Sequence, residues 1–136
     1  MTLAESVEAM VDALQPLTLE VPGLQIVGRP NENPTPPSID IYPPDPFQEG
    51  SGFGVGSKKV SWLVRARVST SDPDAAFGLL LRLLDVDDPA SVEAALANGD
   101  PPAVVGNDGT VSGLIRYADD ATPDLVGVQW RVEMFV

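Results

Sequence analysis

The sequence predicts an α+β fold: a mostly antiparallel sheet with two long strands, and two to three helices packed on one of its faces. Apolar and polar residues alternate through residues 58–70 and again through 125–136. Each stretch carries one tryptophan, Trp62 or Trp130, on its apolar side. A period of two residues is typical of a strand with one buried face. The matching patterns predict that the two strands are neighbours.

The N-terminal stretch predicts an amphipathic helix over residues 3–14. Apolar residues recur there at helical spacing, and Thr2 with Glu5 has the spacing of a capping box. Pro16 ends the helix, because a residue that precedes proline disfavours the α region.

Two short β-prone stretches follow, at residues 24–29 and 38–42. The connection between them, residues 31–37, contains three prolines and cannot be regular structure. We expect the two stretches to pair as a loose hairpin.

The longer predicted helix begins after residue 70, with Ser71 as its N-cap and Pro73 in its first turn. Its apolar stripe, which includes Phe77 and Leu81, is wide enough to predict a helix that is buried on more than one side.

A second short helix is expected to start with Asp88 as its cap and to end at Asn98-Gly99. Residues 100–110 return the chain toward the sheet. Residues 111–118 predict a modest strand, and residues 119–124 an acidic hairpin loop before the last strand.

The sequence predicts a single domain, residues 1–136, with a long flexible loop at residues 43–57. That loop holds three prolines and four glycines in fifteen residues, together with Phe47, Phe53 and Val55. Loops of this length in compact domains are functional or disordered. Two interpretations stay open: the aromatic side chains fold back onto this domain, or the loop is an arm that orders against another subunit.

Composition excludes several kinds of chemistry. The 136 residues contain no cysteine and no histidine, which removes disulfides, thiolate metal sites and Ser-His catalysis. The N-terminus has no basic segment of a signal peptide, and no apolar run could span a membrane. We therefore expect a soluble protein of a reducing cytoplasm, or of a particle assembled in one, without a cofactor.

The net charge of −12 argues against stable nucleic-acid binding, since phosphate contacts need basic side chains. Two readings of the acidic balance remain. It keeps a protein soluble, and it also suits a surface past which a polyanion must slide without adhering.

The few basic residues are candidates for an interface with a neighbouring subunit. Lys58 and Lys59 are either solvated charges at the entrance of the long strand or partners of an acidic neighbour. Arg65, Arg67 and Arg131 are expected to share the polar face of the paired long strands, where they could meet acidic surfaces of another subunit.

The acidic clusters at Asp85–Asp88 and Asp119–Asp124 are read as turns, where aspartate is favoured for local hydrogen bonding. The competing hypothesis is a metalloenzyme that holds Mg²⁺ or Mn²⁺ through Asp119, Asp120 and Asp124. No phosphate-binding glycine motif is present, so we expect no enzymatic activity.

The order of elements resembles that of the tail terminator proteins of long-tailed bacteriophages, in the form found in phages of actinobacteria. The resemblance covers nearly the whole chain. It rests on the order of the predicted elements and on several short stretches of sequence. The stretches that carry it are VPGLQIVGRP (21–30), NPTPPSIDIYP (33–43), DPFQ (45–48), VRARVSTSDPDAAFGLLLRLLD (64–85), DPASVEAAL (88–96) and GVQWRVEMFV (127–136).

The resemblance implies a structural virion protein that forms a hexameric ring, caps the tail tube, ends its polymerisation and offers a joining surface for the head. Its partners would be other copies of itself, the major tail tube protein and a head-tail connector or head completion protein, with DNA passing through the centre unbound. The alternatives are another neck protein, such as a connector or tail-completion protein, and a monomeric module that binds a protein ligand through residues 50–56.

Overall fold

A computed structural model describes residues 2–31, 35–43, 48–50, 58–69, 71–105, 114–116 and 125–135. Of residues 48–50, 58, 114–116, 125, 126 and 135 it describes the backbone alone. The elements of these residues, in chain order, are α1 Leu3–Leu14, α2 Leu17–Glu20, β1 Gln25–Val27, β2 Ser38–Tyr42, β3 Gln48–Gly50, β4 Lys58–Ser69, α3 Pro73–Leu84, α4 Val92–Ala97, β5 Val104–Val105, β6 Leu114–Arg116 and β7 Leu125–Phe135.

One mixed sheet combines with helices, so the predicted α+β class is confirmed. Its strand order is β1-β2-β4-β7-β5, with β3 paired to β4 and β6 paired to β7. Every described pairing is antiparallel except that of β1 with β2. Strands β4 and β7 pair antiparallel from Lys59↔Phe135 to Ser69↔Leu125, as their shared alternation predicted. These two strands are the centre of the sheet.

The core lies between the helices and one face of the sheet. A row of three buried side chains, Ile41, Val64 and Trp130, crosses β2, β4 and β7 at directly paired positions. Leu80 of α3 and Met10 of α1 belong to the same buried cluster. Burying a side chain of this size contributes roughly 1.5–3 kcal/mol, so this layer supplies much of the stability of the fold.

The pairing of β1 with β2 differs from the hairpin that the sequence suggested, because the two strands are parallel, with Gln25 opposite Ser38. The connection leaves β1 through Gly28 and must return to the same end of the sheet. A Cβ atom at Gly28 would lie 2.9 Å from Cγ1 of Val7 and 3.1 Å from Cγ2 of Val11. The absence of a side chain at Gly28 therefore allows α1 to pack closely where β1 ends.

Helix α1 has the predicted bounds, and the Thr2 hydroxyl accepts a hydrogen bond from the backbone N–H of Glu5 at 3.1 Å. The N-cap of helix α3 lies one residue later than predicted. Asp72 is the N-cap and accepts from Ala75 N–H, because a residue before proline favours the extended conformation that is typical of an N-cap.

Helix α4 also begins later than predicted, at Val92, with Ser91 accepting from Ala94 N–H as its N-cap. The carboxylate of Asp88, the predicted cap, instead accepts from Ala90 N–H at 2.8 Å inside the preceding turn. Within the predicted loop at 43–57, residues 48–50 form β3 and pair with the start of β4. The short elements α2, β3 and β5 carry too few residues to show a period, and the sequence did not predict them.

Candidate functional site

The polar face of the sheet, opposite the helices, carries four of the basic residues that the sequence singled out, Lys59, Arg65, Arg67 and Arg131. Register places Arg65 of β4 opposite Asp40 of β2 on one side and Gln129 of β7 on the other. Arg67 lies opposite Ser38 on the same face. Because side chains two residues apart share a face, the strand pairing brings these polar groups together, as the alternation predicted for the arginines.

Asp40 is the centre of this face. Asp40 is fully buried. Its carboxylate accepts a side-on pair of hydrogen bonds from Arg65, from Nε to Oδ1 at 3.2 Å and from Nη2 to Oδ2. Nη2 of Arg67 lies 3.2 Å from Oδ2, and Asn31 N–H donates to the same oxygen at 3.0 Å. A buried carboxylate persists only when its charge and lone pairs are matched in this way.

Arg67 ties the proline-rich connection to the sheet. Only 4% of its surface is exposed, and its Nη2 donates to the backbone carbonyl of Asn31. Since Asn31 also donates to Asp40, the three residues close a ring of hydrogen bonds. The cluster therefore fixes the chain after β1 against the middle of β4, across a gap of 36 residues in sequence.

Tyr42 extends the cluster toward β7. The guanidinium carbon of Arg65 lies 4.0 Å from the centre of the Tyr42 ring, a cation–π contact, and the Tyr42 hydroxyl donates to Oε1 of Gln129 at 3.0 Å. Burial raises the pKa of Tyr42 above its ordinary value of 10.0, and the positive charge of Arg65 partly opposes that increase. The phenol is therefore neutral throughout the physiological range.

The remaining predicted bases lie toward the end of the sheet where β4 begins. Nζ of Lys59 is 3.2 Å from Oε1 of Glu133 on β7, and both side chains are about a third exposed. Lys59 therefore has an acidic partner within its own chain. Lys58 is the first residue of β4, and Arg131 is half-buried on β7, opposite Leu63.

The structure thus joins Arg65 and Arg67 through Asp40, and joins Lys59 to Glu133. That any of these residues contacts a neighbouring subunit stays a prediction. Phe47, Phe53 and Val55 lie outside the described residues, as do Asp119, Asp120 and Asp124 of the metal-site hypothesis.

Asp40 is the residue that sequence reasoning missed. In the sequence it is only one polar position within the short β-prone stretch at residues 38–42. The available signal was an acid in the middle of the strand SIDIY, combined with arginines two residues apart in VRARV. That signal becomes specific only when the β2–β4 register is known.

A second charged cluster joins α2, α3 and the turn before α4 at the surface. Nη2 of Arg82 lies 3.2 Å from Asp88 and 3.5 Å from Glu20. The hydrogen bond from Ala90 N–H, and then that from Arg82, lower the pKa of Asp88 below its ordinary value of 3.8. The hydrogen bond and charge of Asp88 in turn raise the pKa of Arg82. Arg82 therefore links three elements of the helical layer.

Helix α3 has two apolar faces. Ala76, Leu80 and Leu83 are buried against the sheet, whereas Phe77 and Leu81, one turn apart, are 52% and 49% exposed. The wide stripe predicted a helix buried on more than one side, and within the described chain the second side has no cover. Phe77 and Leu81 are called the outer face of α3 below.

The buried cluster holds β2, β4 and the chain after β1 in place. Asp40 is inaccessible to a substrate because it is fully buried beneath its partners. Among the described residues no group of three or more histidine, cysteine, aspartate or glutamate side chains could hold a metal ion. Within those residues, too, every helix is too short or too polar to cross a membrane.

Comparison with protein-family models finds none that matches the chain, and a search of curated proteins finds no significant match.

Proposed function

We propose that this chain is a structural virion protein that assembles into a ring, hexameric by the resemblance of its sequence, and caps the tail tube of a long-tailed bacteriophage. In this role it ends polymerisation of the tube and provides the surface that joins the head. Its location is the neck region of the tail, after assembly in the host cytoplasm. DNA passes through the ring without being held.

The observation that carries the proposal is the outer face of α3. Phe77 and Leu81 are large apolar side chains that are exposed to water in the isolated subunit. Neighbouring exposed apolar side chains are the kind of surface that a subunit contact covers. A ring of identical subunits is built from heterologous contacts, in which one face of a subunit meets a different face of the next. The outer face of α3 is suited to be one of the two.

The charges of the polar face support a structural role in a second way. Four of the eight basic residues, Lys59, Arg65, Arg67 and Arg82, are already paired with carboxylates of the same chain. A protein with a net charge of −12 and three of its six arginines engaged internally offers little for phosphate groups to bind. This property suits a channel through which DNA moves.

Two other functions are consistent with the same fold. Another neck protein, such as a connector or tail-completion protein, would also form a ring, and would differ in the virion component that it binds. A monomeric binding module would use residues 50–56 to hold a protein ligand and would not self-associate. The two kinds of function are separated by the oligomeric state.

The test is light scattering after size exclusion, combined with negative-stain imaging, on the full chain alone and mixed with a major tail tube protein. The expected species is a closed ring of 14.3 kDa subunits. A species that stays strictly monomeric at high concentration, both alone and with the tube protein, contradicts the proposal.

Two variants define the contact. Phe77→Ser with Leu81→Ser should abolish the ring while the subunit stays folded, because both side chains are half-exposed. Leu19→Ser is the matched control: Leu19 is a large apolar residue of α2 that is 87% exposed and lies off α3. If rings persist in the double variant, the outer face of α3 is not a subunit contact.

A further inference from the structure

A groove lies between α1 and α4 in the helical layer. Its volume is about 640 Å³, and it is open to solvent. The chain just after α4 packs closely on α1 at Gly99, since a Cβ atom there would lie 2.9 Å from that of Ala13. Beyond this contact the facing residues are small, notably Ala9, Ala94 and Ala95. The short side chains leave the space that forms the groove.

The groove has an apolar floor and an acidic rim. Leu17 and the alanines form the floor, and Asp12, Asp88 and Asp100 stand around it. Val7 and Val11 of the same helix α1 lie against Gly28 instead, so α1 keeps one flank for its own sheet and presents a different flank to the groove. A floor of small side chains allows another backbone to approach closely.

Charge selects the kind of partner. Residues 2–21 and 71–103, which contain all four described helices, carry eleven acidic side chains and a single basic one, Arg82. Arg82 is engaged with Asp88 and Glu20. The helical layer therefore accounts for nearly all of the net charge of −12. A negative field of this extent steers cationic segments toward it and repels acidic ones.

We propose that the groove between α1 and α4 docks an amphipathic segment of another protein, one that has small or aliphatic residues on one side and lysine or arginine on the other. Helix-in-groove recognition has this form, with apolar anchors on the floor and opposite charges at the rim. The inference goes beyond the ring: it uses none of the residues assigned to subunit contacts, and it holds whether or not the chain assembles.

The helices of a second copy of this chain do not supply a basic segment for the groove. Helices α1, α2 and α4 contain no basic residue, and the single base of α3 is already paired. Two copies that met through their helical layers would bring like charges together, which costs binding energy. The occupant is therefore a basic segment that this chain does not supply from its helices.

The test uses a synthetic helical peptide with leucine and alanine on one face and lysine on the other, labelled for fluorescence anisotropy against the full chain. A second peptide, in which every lysine is glutamate, is the comparison. The lysine peptide should bind and the glutamate peptide should not. The affinity of the lysine peptide should fall as salt is raised from about 0.05 to 0.5 M, since added ions screen the rim charges.

Three variants locate the binding. Asp12→Asn with Asp100→Asn removes two rim charges, and Ala94→Leu fills the groove without any change of charge. Each should weaken binding about tenfold or more, equivalent to about 1.4 kcal/mol. The control is Asp74→Asn with Glu93→Gln, which changes the net charge equally but lies off the groove lining. It should leave the dissociation constant within about twofold.

The outcomes are distinct once thermal unfolding has shown each variant to be folded. Equal losses in both charge-matched double variants, or unchanged binding in Ala94→Leu, would mean attraction to overall charge alone and would overturn the proposal. Self-association of the chain that Ala94→Leu abolishes would make a second copy the occupant and would overturn it too. Failure of ring formation with groove binding intact would contradict the proposed function only.

Discussion

Replacing Asp40 by asparagine tests what the buried cluster contributes to the fold. The change keeps the size of the side chain and one carbonyl oxygen, but removes the negative charge that faces Arg65 and Arg67. Both guanidinium groups then remain beside β2 with a neutral partner. Arg67, which is 4% exposed, cannot turn to water without disturbing the backbone carbonyl of Asn31 that its Nη2 binds.

The expected cost is large for a single substitution. Removing one partner of a buried ion pair typically destabilises a protein by about 3–5 kcal/mol. Asparagine still accepts a hydrogen bond and Arg65 is partly exposed, so we expect about 3 kcal/mol. With an unfolding entropy of about 2.1 cal/mol/K per residue, a loss of this size lowers the melting temperature of a 136-residue domain by about 10 °C.

Urea unfolding followed by tryptophan fluorescence measures this cost directly, because Trp62 and Trp130 are both buried in the core. Glu133→Gln is the matched control: it breaks the partly exposed pair with Lys59 and should cost at most about 1 kcal/mol. If Asp40→Asn costs no more than that control, the carboxylate does not compensate the arginines, and the reasoning is refuted.

A double-mutant cycle isolates the direct contact. Asp40→Asn combined with Arg65→Gln should cost less than the two single changes added together, because each single change leaves the other charge uncompensated. The same logic applies to the arginines that the sequence made candidates for a subunit interface. Reversing the charges of Arg65 and Arg67 should first destabilise the subunit, since both residues have an in-chain partner.

Three further predictions follow from other parts of the structure. Gly28→Ala should lower the free energy of unfolding in urea by about 1–3 kcal/mol, because the new Cβ would lie 2.9 Å from a valine methyl of α1. Gly78→Ala in α3, where the new Cβ meets open space, should raise it by about 0.5–1 kcal/mol. Equal effects of the two changes would contradict the close packing of α1 on Gly28. The pKa of Asp88 is lowered, so its contribution to stability is present above about pH 3.8 and is lost as pH falls through the lowered pKa. The difference in urea midpoint between wild type and Asp88→Asn should therefore shrink over that pH range. A difference that stays constant would contradict the lowered pKa. The pKa of Tyr42 is raised, so its contribution to stability is fully present below pH 10.0 and is lost as pH rises through the raised pKa. The tyrosine absorbance titration near 295 nm should contain a component that Tyr42→Phe removes. The midpoint of that component should lie above pH 10.0, and a midpoint at or below 10.0 would contradict the prediction.

Sequence patterns were reliable where a period extends over many residues. The helix over 3–14 and the pairing of β4 with β7 are both as predicted, because each has enough apolar repeats to identify one face. The helix starts near residues 71 and 88 were misplaced by a few residues. Serine and aspartate near a proline are both acceptable caps on local grounds, and the backbone conformation of the particular residue decides between them.

The candidate site could be predicted only in part. Alternation placed the arginines of β4 on the polar face, but their partner depended on which strand lies beside β4 and in which register. Neither the parallel pairing of β1 with β2 nor the position of Asn31 over Asp40 leaves a local pattern in the sequence. The aromatic residues of the glycine-rich loop lie outside the described residues.

The sequence by itself determined the class of fold, its central strands and its acidic character, because hydrophobic period and net charge are properties of the chain that do not depend on its path. Only the tertiary structure decided which charges meet. A buried carboxylate is stable only with matched donors, and register together with chain path brings Arg65, Arg67 and Asn31 to Asp40. The same path leaves the outer face of α3 and the groove between α1 and α4 exposed to solvent.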